Sequence, residues 1–176
     1  MKPIIISSSA EFSLDRRYRY WLQRAWQPAG KTLAVIGLNP STADESANDP
    51  TVAKCMVWAQ RMGFARLLML NMFAWRDTDP KNLWYADRRG IDIVGGPPNF
   101  VLSLQEYCTR FGVSQIIAAW GNLPHCRGRQ DFFRAAPWNL DCFETNADGS
   151  PHHPLYLPYT LIPKPWNYEK EQNVSA

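Results

Sequence analysis

The sequence predicts an α/β protein: a single three-layer α/β/α domain around a mostly parallel central sheet, with an antiparallel edge strand near the N-terminus. Apolar runs of strand length alternate with segments of helical periodicity, as in parallel strands joined by crossover helices. The chain has 176 residues, of which 45% are hydrophobic and 20% charged, enough for one core. No repeat or long linker divides it, so we expect one domain over residues 1–165 and a polar C-terminal tail over 166–176.

Residues 15–26 form the first element, and their alternation is typical of a half-buried strand, with a helix as the alternative. The alternation puts Arg19 on the polar side of this strand, together with Arg17 and Gln23. A turn, QPAGK, leads into the continuous apolar run TLAVIGLN, which predicts a central strand covered on both faces. We expect the two strands to form a hairpin.

The next segments alternate between helix and strand. Asp49 as N-cap, Pro50 at the first helical position and Gly63 as the stop predict a helix. A second helix is predicted from about Asn99 to Gly112, and a short third one in RGRQDFFRAA. Further strands are predicted in RLLMLNMF, QIIAAWG and NLDCFET.

Composition excludes some classes of protein. The longest apolar runs, LLMLNMFAW and LAVIGL, are far shorter than the roughly twenty residues of a membrane span. The segment MKPIIISSSAEF has too short an apolar core for a secretory signal, so we expect a cytoplasmic protein without a membrane partner. A formal net charge of +3 permits a nucleic-acid partner without requiring one.

The spacing of the cysteines and the abundance of aromatic residues can each be interpreted in two ways. Widely spaced cysteines without a C-x-x-C pair predict reduced thiols and no zinc site, with a four-cysteine iron–sulfur site as the alternative: Cys55, Cys108, Cys126 and Cys142. Aromatic residues make up 13% of the chain, including eight tryptophans, which indicates either a stacking surface or a tryptophan-rich core.

Polar residues follow each of the four predicted parallel strands within two or three positions. These strand ends are GLNPSTAD, NMFAWRDTDP, WGNLPHCRGR and TNADGSPHHPLYLP. Ligands of open parallel sheets bind beyond the carboxyl ends of the strands. The sequence therefore predicts a pocket for a small polar ligand at this edge.

The first strand end offers an amide in a defined position. Pro40 biases Asn39 toward an extended conformation, Gly37 leaves room for a ligand, and Ser41 adds a hydroxyl. The Asn39 amide suits a nucleobase edge or a positioned water, and the alternative is that it satisfies the loop backbone.

Acidic residues follow in the same loop. Asp49 is most simply the helix cap. Asp44 is the freer carboxylate, a candidate general base or Mg²⁺ ligand, with a solvated loop charge as the alternative.

Alternation along the second strand end would point Asn71, Phe73 and Trp75 to one side. An amide beside two rings can read the edge of a base and stack on its face, and aromatic core packing is the alternative. Arg76 is a candidate phosphate ligand, or the partner of a neighbouring aspartate.

The last two strand ends carry further candidates. Asn122 and Arg127 lie in a glycine-containing basic loop that suits a phosphate. His152, His153 and Tyr156 follow the last strand, where His153 could stabilise a departing anion. No G-x-S-x-G, P-loop or G-x-G-x-x-G motif is present, so acyl-transfer, triphosphatase and dinucleotide functions lose their usual support.

Several of these segments resemble a bacterial and phage family known as domain of unknown function 1643. The resemblance runs in order from about Tyr18 to Pro158 and rests on YRYWLQRAW, GLNPSTADESANDPT, RMGFARLLMLNMFAWRDTDP, IIAAWGN and DGSPHHPLYLP.

A more distant resemblance is to the uracil-DNA glycosylase superfamily, whose mismatch-type members carry Gly-Ile-Asn-Pro-Gly after the first strand and His-Pro or Asn-Pro after the last. GLNPS and HHPLY stand at these places, although the usual Ser-Pro-Leu-Ser continuation is absent. The resemblance implies a uracil-DNA-glycosylase-like fold, Asn39 as the water-positioning amide and His153 as the stabiliser of the departing base. It also implies Phe73 or Trp75 as a stacking ring and Leu155 or Tyr156 as a wedge.

The expected function is therefore a nucleobase-recognising N-glycosidic hydrolase that needs no cofactor or metal. One alternative is a non-catalytic protein that binds nucleotides or nucleic acid. Another is a metal-dependent hydrolase or transferase of a small nucleotide-like substrate, with Asp44 holding a divalent ion.

Overall fold

The computed structural model describes residues 2–122, 127–136 and 138–166, which form a seven-stranded mixed sheet with helices on both faces. Its strands are β1 (Ser7–Phe12), β2 (Arg19–Ala25), β3 (Thr32–Gly37), β4 (Arg66–Asn71), β5 (Val113–Ala118), β6 (Leu140–Cys142) and β7 (Lys164–Pro165). Its α-helices within these residues are α1 (Pro50–Arg61), α2 (Lys81–Arg88), α3 (Val101–Arg110) and α4 (Arg127–Ala135). Short 3₁₀ helices occupy Pro97–Asn99 and Pro154–Tyr156.

The strand order is β1-β2-β4-β3-β5-β6-β7. The four central strands, β4, β3, β5 and β6, are parallel, whereas β1, β2 and β7 pair antiparallel with their neighbours. After β3 the chain first adds β4 on one side and then β5 on the other, so the strand order reverses around β3. That reversal leaves a crevice at the carboxyl edge, where ligands of open α/β sheets bind.

Side chains of β3 alternate between two cores. Leu33 and Val35 pack with α1, whereas Ala34 and Ile36 pack on the opposite face with residues of α2, α3 and α4. The continuous apolar run of β3 is buried for this reason, because both of its faces are covered. The predicted α/β class is confirmed, as three layers around a sheet that is parallel only at its centre.

Helix α1 begins as its sequence predicts. The Asp49 side chain accepts a hydrogen bond from the Val52 N–H at 2.8 Å, and Pro50 fills the first helical position. The helix ends just before Gly63, whose φ of 81° suits a residue without a Cβ.

The predicted hairpin between the first two long strands is wrong. Strand β2 pairs with β4 and β1, because β4 and β5 already occupy the two sides of β3. The linking segment instead crosses the start of β4, where Arg66 donates to the carbonyls of Pro28 and Gly30. Strand β2 is antiparallel as expected, but β1 covers it and forms the edge.

Burial within β2 also differs from the predicted pattern. Arg19, expected on the polar side, is only 2% exposed, and Arg24 is only 1% exposed. Both lie beneath the loop between β3 and α1, to which they donate hydrogen bonds. Strands β1 and β7 and helix α2 have no counterpart among the predicted elements.

Other sequence-based expectations meet the structure only in part. Trp166, at the start of the predicted tail, is buried and donates to the Gly149 carbonyl, while residues 167–176 lie outside the described residues.

Burial raises the pKa of the Cys55 thiol to about 12 and that of Cys108 to about 11, and Cys126 lies outside the described residues. None of the described helices is long and apolar enough to cross a membrane.

Candidate functional site

The loops that follow β3, β4, β5 and β6 surround a cavity of about 510 Å³ at the carboxyl edge of the sheet. This volume lies within the roughly 300–1,000 Å³ typical of small-ligand pockets. The strand ends contribute residues 37–39 and Ser41, then Asn71, then residues 120–122, and finally His153, Leu155 and Tyr156. Residues 49–52 at the start of α1 and Arg19 of β2 complete much of the wall.

Eight of the residues predicted from sequence line this cavity: Gly37, Asn39, Ser41, Asn71, Asn122, His153, Leu155 and Tyr156. Asn39 and His153 come from the first and the last of the four strand ends, which are more than 100 residues apart in the chain. The structure therefore brings together the two side chains on which the expected chemistry depends.

Asn39 connects two loops through its side-chain nitrogen. Its Nδ2 donates to the carbonyl of Pro40 at 3.1 Å and to that of Asp77 at 2.9 Å, which uses both amide hydrogens. The side-chain nitrogen of Asn39 is thus fully used in hydrogen bonds to the loop backbone. Only its Oδ1 is left for a ligand or a water, and that atom can accept hydrogen bonds but cannot donate them.

Asn71 is a buried amide at the end of β4. It is 2% exposed, and its Nδ2 has no hydrogen-bond partner among the described residues. Gly37 lies alongside, since a Cβ at that position would stand 3.2 Å from the Asn71 Oδ1. A buried donor without a partner is costly, and an acceptor on a ligand in this cavity would offset that cost.

His153 lies close to the backbone of Leu155 and of Gly121. Its Nδ1 accepts a long hydrogen bond of 3.4 Å from the Leu155 N–H, so the neutral ring carries its proton on Nε2. Gly121, after β5, allows a close approach, because a Cβ there would lie 3.3 Å from the His153 Cβ. Burial lowers the pKa of His153, although the nearby Asp49 carboxylate opposes this effect.

Several cavity residues were not among the predicted site residues, and three of them have charged or aromatic side chains that are almost fully buried: Arg19, Asp49 and Trp120. Arg19 donates from Nη1 to the Ala43 carbonyl at 3.0 Å, and its Nε has no partner among the described residues. Burial lowers the pKa of Arg19 to about 10, with Asp49 the main opposing influence, so the guanidinium stays charged at neutral pH. Trp120 donates to the Gln130 side chain at 3.1 Å and packs edge-on against Trp166.

The three residues differ in whether the sequence alone could have identified them as cavity residues. Asp49 was identified as a helix cap, which is correct, but its position in the cavity depends on the tertiary fold. Trp120 lies directly after a predicted strand and could have been found from that position. No local pattern marks Arg19, because its strand alternation indicates exposure.

The aromatic residues after β4 do not line this cavity. Phe73 lines a second cavity of about 280 Å³, while Trp75 packs edge-on against Tyr18 at 5.4 Å. The strand ends at Asn71, so the alternation that would align the three side chains stops there. Arg76 also lies elsewhere, with its guanidinium 4.8 Å from the centre of the Phe12 ring and its Nη1 donating to the Arg16 carbonyl.

Asp44 is engaged in its own loop and does not line the cavity. Its Oδ1 accepts hydrogen bonds from the backbone N–H groups of Ser46 and Ala47 and from the Ser46 hydroxyl. These hydrogen bonds lower the pKa of Asp44 to about 2, which makes it a poor proton acceptor near neutral pH. In the part of the chain that the structure describes, no three His, Cys, Asp or Glu side chains are grouped as metal ligands.

Two further predicted residues lie outside the cavity or outside the description. His152 packs against Glu144, with 3.7 Å between its Nδ1 and the carboxylate, and is not part of the cavity wall. Arg127 begins α4, and its side chain lies outside the described residues.

The loop between β3 and α1 is held rigidly by arginines. Arg24 donates to the carbonyls of Asp44 and Ala47 and, at 2.7 Å, to the Asn48 side chain. Arg16 forms a bidentate pair with Glu45 at 2.8 and 2.9 Å. Arginines of the protein itself therefore pair with Glu45 and bind the backbone of this acidic loop.

Comparison with known proteins identifies the family. The model of the family described as "Protein of unknown function (DUF1643)" matches residues 19–155, which include nearly every residue that lines the cavity. The chain belongs to this family. No curated protein and no solved structure matches it.

The burial of His153 predicts a pH dependence of stability. Its folded pKa lies below the ordinary value of 6.5, so the unfolded chain binds the proton more tightly. The contribution of His153 is fully present above pH 6.5, and the free energy of unfolding falls as the pH drops from 6.5 toward the folded pKa. NMR titration of the ring protons should give a midpoint below 6.5, and urea unfolding of His153→Gln should lack this part of the pH dependence. A midpoint above 6.5 would contradict the assigned environment.

Proposed function

We propose that this protein is a hydrolase that binds a nucleobase in the carboxyl-edge cavity and cleaves its N-glycosidic bond to a sugar. The observation that carries the proposal is that Asn39, Asn71 and His153, from three different strand ends, line one cavity. These side chains supply an acceptor for water, an amide for the base and a donor for the departing base. Their positions also agree with the resemblance of GLNPS and HHPLY to the uracil-DNA glycosylase superfamily.

Base recognition is assigned to Asn71. The unpartnered Nδ2 of Asn71 would donate to a carbonyl or ring nitrogen of the base. Trp120 lines the same cavity but is only 1% exposed, with its ring packed against Phe133 and Trp166, so it shapes the wall and is not assigned a stacking role.

The bond-breaking step is assigned to Asn39 and His153. The free Oδ1 of Asn39 would accept a hydrogen bond from the attacking water and orient it toward the sugar carbon. The Nε2–H of neutral His153 would donate to the base as negative charge develops on it. Buried donors of this kind act strongly because little water competes for the developing charge.

The rim of the cavity supports a substrate larger than a free base. Tyr156 is 88% exposed, lines the cavity and follows His153 by only three residues. An exposed ring at the mouth of a base pocket can stack on a neighbouring nucleotide. We therefore extend the proposal to nucleosides within single-stranded nucleic acid, where the unstacking cost is smallest.

One observation favours a second candidate, a protein that binds a nucleobase without cleaving it. Both amide hydrogens of Asn39 are used by the loop backbone, so the side chain has a structural task that needs no reaction. An Asn39→Ala variant separates the two candidates. Loss of base release with retained binding supports the hydrolase, whereas a wild-type protein that binds but never releases a base supports the binder.

Base release is the first test of the proposal. Short single-stranded oligonucleotides with one uracil, hypoxanthine or 5-hydroxymethyluracil, and the matching free nucleosides, are incubated with the protein, and the freed base is measured by chromatography. We expect release of at least one base, and a fall of roughly 100-fold or more in His153→Gln. His152→Gln is the matched control, because its ring lies outside the cavity, and it should keep wild-type activity. No release from any substrate, or equal loss in both variants, would refute the hydrolase.

Replacing Asn71 tests base recognition separately from folding. Asn71→Leu keeps a similar volume but removes an unpartnered buried donor, so the free energy of unfolding should be unchanged or raised by up to about 1 kcal/mol. Affinity for the released base, measured by calorimetry, should fall at least about tenfold if one hydrogen bond is lost. A variant that is as stable as wild type and binds the base equally well would show that Asn71 does not read it.

A further inference from the structure

The proposed reaction requires a group that takes a proton from the attacking water. Asn39 cannot do so, because an amide is not a base at neutral pH and its nitrogen already donates twice to the backbone. His153 is also unsuitable, since its Nδ1 accepts the Leu155 N–H and its Nε2 carries the ring proton. Neither of the residues assigned to bond cleavage therefore completes the reaction.

Two carboxylates line the cavity, Asp49 and Asp77. The Oδ1 of Asp77 accepts from the Asp79 N–H and from the Asn82 side chain, both at 3.0 Å. Its Oδ2 has no hydrogen bond to a described residue, and Asp77 differs from Asp49 in lying in a more exposed loop. Asp49 is 8% exposed, and one of its oxygens accepts the Val52 N–H at 2.8 Å. The other oxygen of Asp49 has no hydrogen bond to any described residue, so it is available to a water in the cavity.

Positively charged and N–H groups lie near the Asp49 carboxylate in the cavity wall. Arg19 lies in the same wall, is almost fully buried and remains charged, and it makes no ion pair within 4.0 Å among the described residues. The positive end of the α1 dipole and the Val52 N–H also stabilise a negative charge at the N-cap position. Asp49 acts electrostatically on both Arg19 and His153, so its carboxylate lies near both groups.

We propose that Asp49 is the general base of this site, with Arg19 as the neighbouring cation in the same cavity wall. In this step, which rests on the proposed function, the water oxygen bonds to the sugar carbon and the carbon–nitrogen bond breaks with its electron pair passing to the base. The water proton passes to the free oxygen of Asp49 and then to solvent. The base takes a proton from solvent, and His153 donates a hydrogen bond to it throughout.

Substitutions of Asp49 can separate its structural role as the N-cap of α1 from its proposed role as a general base. Asp49→Asn keeps a favoured N-cap side chain, so α1 should be preserved while base release is lost. The thermal midpoint should fall only by the amount that the lost attraction between Asp49 and the buried Arg19 contributes. We expect kcat on the oligonucleotide or nucleoside that wild type cleaves to fall by roughly 100-fold or more, with KM little changed. Asp44→Asn is the matched control in the same loop, because Asp44 does not line the cavity, and it should leave kcat unchanged.

Chemical rescue provides a readout that a purely structural role would not give. Asp49→Gly loses the carboxylate at a cost of only a few tenths of a kcal/mol at an N-cap. Added formate or azide, which can occupy the vacated space and accept a proton, should restore a large part of the lost kcat in Asp49→Gly and none in His153→Gln.

The possible results distinguish the two proposals. If wild type releases a base and Asp49→Asn is equally active, Asp49 is not the general base, but the proposal that the protein is a hydrolase still holds. Loss of activity through a raised KM, without rescue by formate or azide, assigns Asp49 to binding and also overturns the proposal. Absence of base release in wild type overturns both proposals together.

Discussion

The cavity depends on two buried arginines of β2 that hold the loop between β3 and α1. Arg24 donates to several groups of this loop, and Arg19 donates to the Ala43 carbonyl. A buried guanidinium is costly unless it is hydrogen-bonded, so these contacts favour the observed conformation of the loop. Since Asn39 stands near one end of the loop and Asp49 at the other, the spacing of the candidate catalytic groups follows from this constraint.

Parallel strand pairing brings the remaining parts of the site to the same edge. β3, β4 and β5 are in parallel register, so their carboxyl ends lie side by side. Contacts between the loops then close the site, because Asn39 binds the Asp77 carbonyl and Gly121 packs against His153. Glycine at 37 and 121 leaves room for Asn71 and His153, respectively, because a Cβ there would make unusually tight contacts of 3.2 and 3.3 Å. The arrangement is preorganised, which favours stabilisation of developing charge without rearrangement.

Apolar runs and helix caps predicted the central part of this fold because those signals are local. β3 and β4 contain continuous apolar runs, β5 ends in the shorter apolar run IIA, and α1 carries its own start and stop residues. β1 could not be found in the same way, since its sequence SSSAEF has no strong apolar pattern and it is held by pairing with β2. Strand order is likewise a tertiary property, which is why the predicted hairpin failed.

The site could be predicted as far as the strand ends, but not in its details. Asn39, Asn71 and His153 lie in the cavity because polar residues after parallel strands converge. Phe73 and Trp75 do not line it, because β4 ends at Asn71 and side chains beyond the end of a strand no longer alternate between its two faces. Asp49 was assigned one task from its local pattern, but a carboxylate has two oxygens, and only the fold shows where the second is available.

Chemical-shift mapping with a free nucleobase is the most direct test of the central claim, that the carboxyl-edge cavity binds a base. Amide spectra of the protein are recorded during titration with uracil, and separately with hypoxanthine. The account predicts the largest shifts at Asn39, Asn71, Gly121 and His153, around the cavity. Shifts confined to the second cavity around Phe73 and Arg129, or no shifts with either base, would contradict it.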